Sequence, residues 1–177
     1  MFSELDGVEI RPATDHDARS IAQVHLDSWR QAYTGIIPDD YLATLNIVDR
    51  EKHWSQNLKS PEQTTLIALA NNRAIGFATL APCGDEDLPA SEKQLTALYL
   101  DPESWGRGVA KELMYRIFEA AGPTCSVSLW VISDNERAQH FYRRHGFTAD
   151  GAKKQASYGQ ASLTLIRYRK VVPTAVR

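Results

Sequence analysis

Apolar positions along the chain change their period several times, and each change marks an element. Val8 to Pro12 reads as a short first strand, after which Thr14-Asp15-His16-Asp17 offers an N-cap with an acid three positions on. Ala18, Ile21, Ala22, His25 and Trp29 then recur at three- and four-residue steps. They form one buried stripe of a helix that reaches about Tyr33 and stops at Gly35. Pro38 followed by Asp39 and Asp40 predicts a short second helix, because proline suits a first turn and acids suit the positive end of the helix dipole. A third helix over Asp49 to Leu58 turns Trp54 and Leu58 inward.

Strand patterns follow. Thr64 to Ala70 and Ala74 to Ala81 are apolar runs joined by the turn signal Asn71-Asn72, a β-hairpin. The stretch from Pro82 to Lys93, with Asp85, Glu86, Asp87 and Glu92, reads as a solvated charged loop. Gln94 to Leu100 is the next strand, and Pro102 prevents its simple continuation. Val109, Leu113, Ile117 and Ala121 lie at four-residue steps beside Met114 and Phe118, so a helix over Arg107 to Ala121 faces a sheet, and Gly122-Pro123 ends it. Ser126 to Ile132 is a strand and Ser133-Asp134-Asn135 a cap region. Ala138, Phe141, Tyr142 and His145 trace a further helical face that Gly146 terminates. Final strands near Phe147 to Ala152 and Leu163 to Tyr168 complete an α+β fold: a central mixed sheet of about seven strands flanked by four or five helices.

Composition narrows the function. With 177 residues, 43% hydrophobic and 24% charged, the chain is expected to form a single domain over residues 1–177 rather than a disordered segment. A formal net charge of −2 gives no electrostatic reason to bind nucleic acid or an anionic membrane, and small molecules or peptides are the expected partners. Cys83 and Cys125 lie far apart without C-x-x-C spacing, so neither a disulfide framework nor a cysteine zinc site is indicated, and no metal is expected. The start, MFSELDGVEI, lacks a basic segment followed by an apolar stretch, and no run of about eighteen apolar residues occurs, which predicts a soluble cytoplasmic protein.

The segment Gln94 to Ala121 holds the candidate chemistry: a strand, a loop with Gly106 and Gly108, and the start of a helix. Unpartnered N–H groups and the positive dipole end make such a helix start a seat for phosphate. A dinucleotide fingerprint G-x-G-x-x-G/A, counted from Gly106 and Gly108, requires glycine or alanine where Lys111 stands, and the strand through Val131 supplies no acid for a ribose. The spacing and Lys-Ser/Thr pair of a P-loop are also missing.

Trp105 to Ala110 after the strand Leu98 to Leu100, and Asn135, Ala138, Phe141-Tyr142 and Gly146-Phe147 after the strand through Leu129 to Val131, make the chain resemble the GNAT acetyltransferase superfamily over nearly its whole length. Trp105-Gly106-Arg107-Gly108-Val109-Ala110 is similar to the family's [RQ]-x-x-G-x-[GA] segment, with Gly108 and Ala110 matching and Trp105 where Arg or Gln is usual. Leu98-Tyr99-Leu100-Asp101-Pro102 resembles the strand before it. A second block, Leu129-Trp130-Val131, Asn135, Ala138, Phe141-Tyr142 and Gly146-Phe147, resembles the family's strand-helix-strand unit ending in FY-x-x-x-GF.

The resemblance implies a GNAT-like fold with acetyl-CoA as cosubstrate. Backbone donors from Gly106, Arg107, Gly108, Val109, Ala110 and Lys111 would cradle the pyrophosphate, with charge added by Arg107 and Lys111. The backbone of Leu98, Tyr99 and Leu100 would pair with the pantetheine amides, and Asn135 would help anchor the cofactor, cap its helix, or both. Tyr142 matches the tyrosine near the coenzyme A sulfur and is the candidate catalytic residue, donating a proton to the departing thiolate.

For the base, related enzymes often use a glutamate where Gln94 stands here, and an amide cannot take a proton. Glu92, Asp85, His25 and a water chain stay open for that task. Trp29 and Tyr33, within a W-R-x-A-Y-x-G-I-[IL]-P stretch found in uncharacterised family members, share a helical face suited to an acceptor pocket. The expected function is an N-acetyltransferase acting directly on a primary amine of a small molecule, amino acid, polyamine or peptide N-terminus. The alternative is a non-catalytic regulatory module that binds acyl-CoA. Edge strands near the C-terminus are compatible with a homodimer.

Overall fold

The computed structural model describes residues 5–172. Its centre is a seven-stranded sheet in the order β1-β2-β3-β4-β5-β7-β6, antiparallel at every junction except β4 to β5. The first half of the chain supplies β1 (Val8–Pro12), then helices α1 (Ala18–Ala32), α2 (Asp39–Thr44) and α3 (Ile47–Asn57). The hairpin β2 (Thr64–Ala70) and β3 (Arg73–Pro82) follows, closed by Asn71 and Asn72 at φ 50° and 61°, the positive pair that a two-residue hairpin turn requires. Next come β4 (Lys93–Leu100), α4 (Val109–Ala121), β5 (Val127–Ile132), α5 (Glu136–Arg144), β6 (Thr148–Tyr158) and β7 (Ala161–Lys170).

The predicted stripes of α1, α3 and α4 reach the core, while the face traced by Ala138, Phe141, Tyr142 and His145 on α5 stays only half-buried. On one face of the sheet, Leu113, Met114 and Ile117 of α4 pack with Leu66, Leu80 and Leu129, each such side chain contributing roughly 1.5–3 kcal/mol of burial. On the other, Ile21 and Ala22 of α1 and Trp54 of α3 cover Ile67 and Phe77. A smaller cluster joins Ile37 and Leu42 to Ile132 of β5. Among the described residues no helix is long and apolar enough to cross a membrane.

Several boundaries move for local reasons. A 3-10 turn over Asp15–Asp17 precedes α1, and the Asp17 carboxylate accepts from the Thr14 N–H at 2.7 Å while pairing with Arg11. α3 begins earlier, at Ile47, because the Asn46 side chain accepts from the Asp49 N–H. α4 begins at Val109 rather than Arg107, since Gly108 takes a left-handed conformation at φ 82° just before it. β6 and β7 extend well past the predicted strands. Most of β6 is exposed and polar, so its length leaves no apolar alternation to detect.

The stretch from Pro82 to Lys93 is largely an exposed loop, as its composition predicts, but three of its acids are not free in solvent. Glu92 is 2% exposed and meets Arg169 through two short contacts, 2.8 and 2.6 Å. Asp85 and Asp87 both bind Arg167, which is also held by Asp150 at 2.7 Å. Acids of the loop are thereby tied to β7, where Arg167 is itself buried.

Candidate active site

Strands β4 and β5 pair only at Lys93 with Val127 and at Gln94 with Ser128, and then separate. The cause lies in the ladder on the other side of β4. Leu80 pairs with Leu95 and Thr79 with Ala97, so Thr96 is an extra residue, a bulge that bends β4 away from β5. Beyond it, Ala97 to Leu100 pair with β3 and, among the described residues, with no second strand, leaving backbone groups on the facing edge. A cleft of about 810 Å³ opens between the two strands and the starts of α4 and α5.

The structure brings nearly all the sequence-predicted residues to this cleft. Leu98, Tyr99 and Leu100 line it from β4, and Gly106, Gly108, Val109, Ala110 and Lys111 from the loop and first turn of α4. Gly106 and Gly108 adopt φ 77° and 82°, and a Cβ at either would meet nothing within 4 Å beyond its chain neighbours among the described residues, so that side of the loop is open. Arg107 is exposed and is not part of the wall. Asn135 lines the cleft while its carbonyl oxygen accepts from the Ala138 N–H at 3.2 Å, so the cap role is realised with the amide nitrogen left over.

Trp105 is held by a bond from its indole N–H to the Leu100 carbonyl, 3.3 Å, and carries the Arg137 guanidinium on its ring face at 3.7 Å. Both line the cleft, as does Arg144 of α5. This mouth of the cleft therefore has helix-start N–H groups together with the cations Lys111, Arg137 and Arg144, a setting for a polyanion.

The inner end is aromatic. Tyr142 packs against Phe141 and Phe147, and burial pushes its phenol pKa well above the ordinary tyrosine value, with Tyr99 acting in the same direction. Burial also raises Tyr33, Tyr99 and Tyr158, so all four phenols hold their protons. Trp29 and Tyr33, predicted to share a helical face, meet edge to face at 5.0 Å and both line the cleft. The Trp29 indole N–H is buried near the Tyr99 phenol, with no acceptor at full hydrogen-bond geometry among the described residues.

None of the three side chains open for the base role lines this cleft. The buried His25 accepts the Trp54 indole N–H on Nδ1 at 3.1 Å, and burial, followed by the nearby Arg50 charge, lowers its pKa to about 3. Its basic nitrogen is thus occupied and nearly non-basic. Glu92 is committed to Arg169, and Asp85 to Arg167 and the Trp130 indole. Gln94 sits at the paired end of β4, short of the opening. Among the described residues no Asp or Glu lines the cleft.

Sequence reasoning missed Thr96, Arg137 and Tyr158, which do line it. The bulge at Thr96 and the length of β6 leave no periodic signal, and Arg137 comes to the cleft from a separate element, α5, to meet Trp105.

Comparison with known proteins adds to this geometry. The model of the acetyltransferase (GNAT) family matches residues 24–147. A probable N-acetyltransferase of Mycobacterium tuberculosis is 30% identical over 150 residues, 81% of this chain and 82% of the relative. A spermidine N(1)-acetyltransferase of Thermoplasma acidophilum is 25% identical over 151 residues, covering 81% and 89%. Among solved structures, the PaiA N-acetyltransferase of Thermoplasma acidophilum in complex with coenzyme A superposes with a TM-score of 0.73 at 22% identity, over 93% of this chain and 99% of that one.

Proposed function

The chain belongs to the acetyltransferase (GNAT) family, and on that premise we propose that it moves an acetyl group from acetyl-CoA directly to a primary amine. Acceptors of the class are small molecules, amino acids, polyamines or peptide N-termini. One observation carries the reading: β4 and β5 part after Gln94, and the cleft they open is lined by the glycine loop and first turn of a helix. That opening suits a long ligand with an anionic end, because the cations and N–H groups lie at its mouth and neutral rings at its inner end.

In this reading Gly106, Gly108, Val109, Ala110 and Lys111 hold the pyrophosphate of coenzyme A, with Arg107 adding charge from outside the wall. Leu98, Tyr99 and Leu100 align the pantetheine arm through the free edge of β4, and Asn135 anchors it from α5. Trp29 and Tyr33 face the acceptor. The amine nitrogen bonds to the acetyl carbon, the carbon–sulfur bond breaks, and the thiolate takes a proton from Tyr142. The proton lost by the amine returns to Tyr142 through solvent, so no net proton is left on the protein. A phenol whose pKa is raised stays protonated at neutral pH, the state a donor needs. A backbone N–H of β4 polarises the thioester carbonyl.

The test is release of coenzyme A with a panel of amines, read together with the mass of the acetylated product and calorimetric binding of coenzyme A. Product formation upholds the enzyme. Tight coenzyme A binding with no product across the panel would replace it by the regulatory acyl-CoA-binding module, a second reading that the carboxylate-free cleft favours.

A further inference from the structure

The acceptor end of the cleft is built from rings and hydroxyls instead of charges. Trp29 lies 6.1 Å from Tyr158 and 6.4 Å from Tyr99, centroid to centroid, so α1, β4 and β6 each contribute an aromatic wall. Tyr41 of α2 backs Tyr158 edge to face at 5.7 Å. The cations lining the cleft come from α4 and α5, and no carboxylate lines it among the described residues. Of the acids in the 83–92 loop, Asp85, Asp87 and Glu92 are already engaged by Arg167 and Arg169, and the exposed Glu86 does not line the cleft.

Such a wall discriminates between amines. A polyamine keeps at least one ammonium charged after its reacting nitrogen is neutralised, and a desolvated ammonium needs a carboxylate partner. An indole face can substitute, but that of Trp29 already carries the Arg50 guanidinium at 5.9 Å. A monoamine has no second charge to place. Its body, if aromatic, gains edge-to-face contacts of the kind the wall residues make with one another.

The same surroundings bear on the base. His25 stacks on Tyr99 at 4.8 Å and lies 5.5 Å from Trp29, so it samples the dielectric behind the acceptor end. Burial and Arg50 hold it neutral, and both act in the same direction on an ammonium brought nearby. The acceptor then sheds its proton to solvent as it enters, and no carboxylate base is required.

We propose that the acceptor is a primary monoamine carried on an aromatic body, an arylalkylamine, and that polyamines are poor substrates. This rests on the acetyltransferase reading above. Spermidine is named for one relative, and the present wall lacks the carboxylates its charges demand.

The experiment is steady-state acetylation by the full chain at pH 8 and saturating acetyl-CoA, with phenethylamine and tryptamine set against spermidine and putrescine. Products are identified by mass, and coenzyme A binding is measured separately by calorimetry. The expected result is a kcat/KM for phenethylamine at least about tenfold above that for spermidine, a difference of about 1.4 kcal/mol. Equal or better use of spermidine overturns the proposal and leaves the acetyltransferase standing, as does acetylation of other amines without the aromatic ones. Coenzyme A binding with no acetylation of any amine overturns both. Tyr158→Glu, which puts a carboxylate into the wall, is expected to shift the ratio at least about fivefold toward spermidine. An unchanged ratio in a folded variant would contradict the role given to the wall.

Discussion

The guanidinium of Arg137 sits over the ring of Trp105, its carbon 3.7 Å from the ring centroid. Trp105 occupies the place where Arg or Gln usually opens the family's phosphate segment, and a side chain from α5 lays a cation on its ring. Arg137→Ala is expected to raise the Kd for coenzyme A about tenfold, the value of one charge-assisted contact to phosphate. Trp105→Ala should do nearly as much, because it removes the plate that orients the guanidinium. If the pair acts as a unit, the double variant is no weaker than about either single one; fully additive losses by calorimetry would show that the two act independently.

Tyr142→Phe keeps the ring among Phe141 and Phe147 and removes only the hydroxyl. The expectation is a fall in kcat of about a hundredfold with coenzyme A affinity within twofold of the parent, the mark of a group acting in the chemical step. Burial raises the phenol pKa, and a proton donor works below its pKa, so the alkaline limb of kcat contributed by Tyr142 should lie above the ordinary tyrosine range near 10. Turnover unchanged in the Phe variant would remove Tyr142 from the mechanism.

What could be read in the chain was what neighbours in sequence decide. The stripe from Ala18 to Trp29 and the Asn71-Asn72 turn appear in the structure as read, because helix periodicity and hairpin turns are local. The glycine loop and the residues grouped with it also reach one cleft, Arg107 excepted. What escaped depends on partners far along the chain. Glu92 is buried because Arg169 lies 77 residues on, and Asp85 is held at the edge of β7 because Arg167 lies 82 residues on, so loop composition misses both partners. Thr96 gains its role only through the mismatch with β3.

Glu92 separates structure from chemistry. Its carboxylate is fully enclosed and bound to Arg169, and it does not line the cleft. Glu92→Gln leaves the Arg169 charge without its counterion, and should cost about 2–3 kcal/mol of stability in urea unfolding. Activity of the folded variant should stay within twofold. A large loss of kcat with unchanged stability would instead make Glu92 the missing base.

Trp54 and His25 set a pH dependence of folding. With its pKa lowered to about 3 against an ordinary 6.5, His25 stays neutral in the folded chain while the unfolded chain takes up a proton below pH 6.5. The unfolded state then binds more protons, so this contribution is fully present above pH 6.5, falls as the pH drops, and is exhausted near pH 3. Between pH 7 and pH 5 it amounts to about 2 kcal/mol, from the 1.36 kcal/mol per pH unit of one differential proton. His25→Gln removes the titration while leaving an amide oxygen able to accept from the Trp54 indole. Urea unfolding of both proteins at pH 7 and pH 5 should therefore show the parent losing about 2 kcal/mol more than the variant. Equal losses would mean that His25 is protonated in the folded chain at pH 5, and that the surroundings of the aromatic wall are wetter than the Trp54 bond and the burial of the ring require.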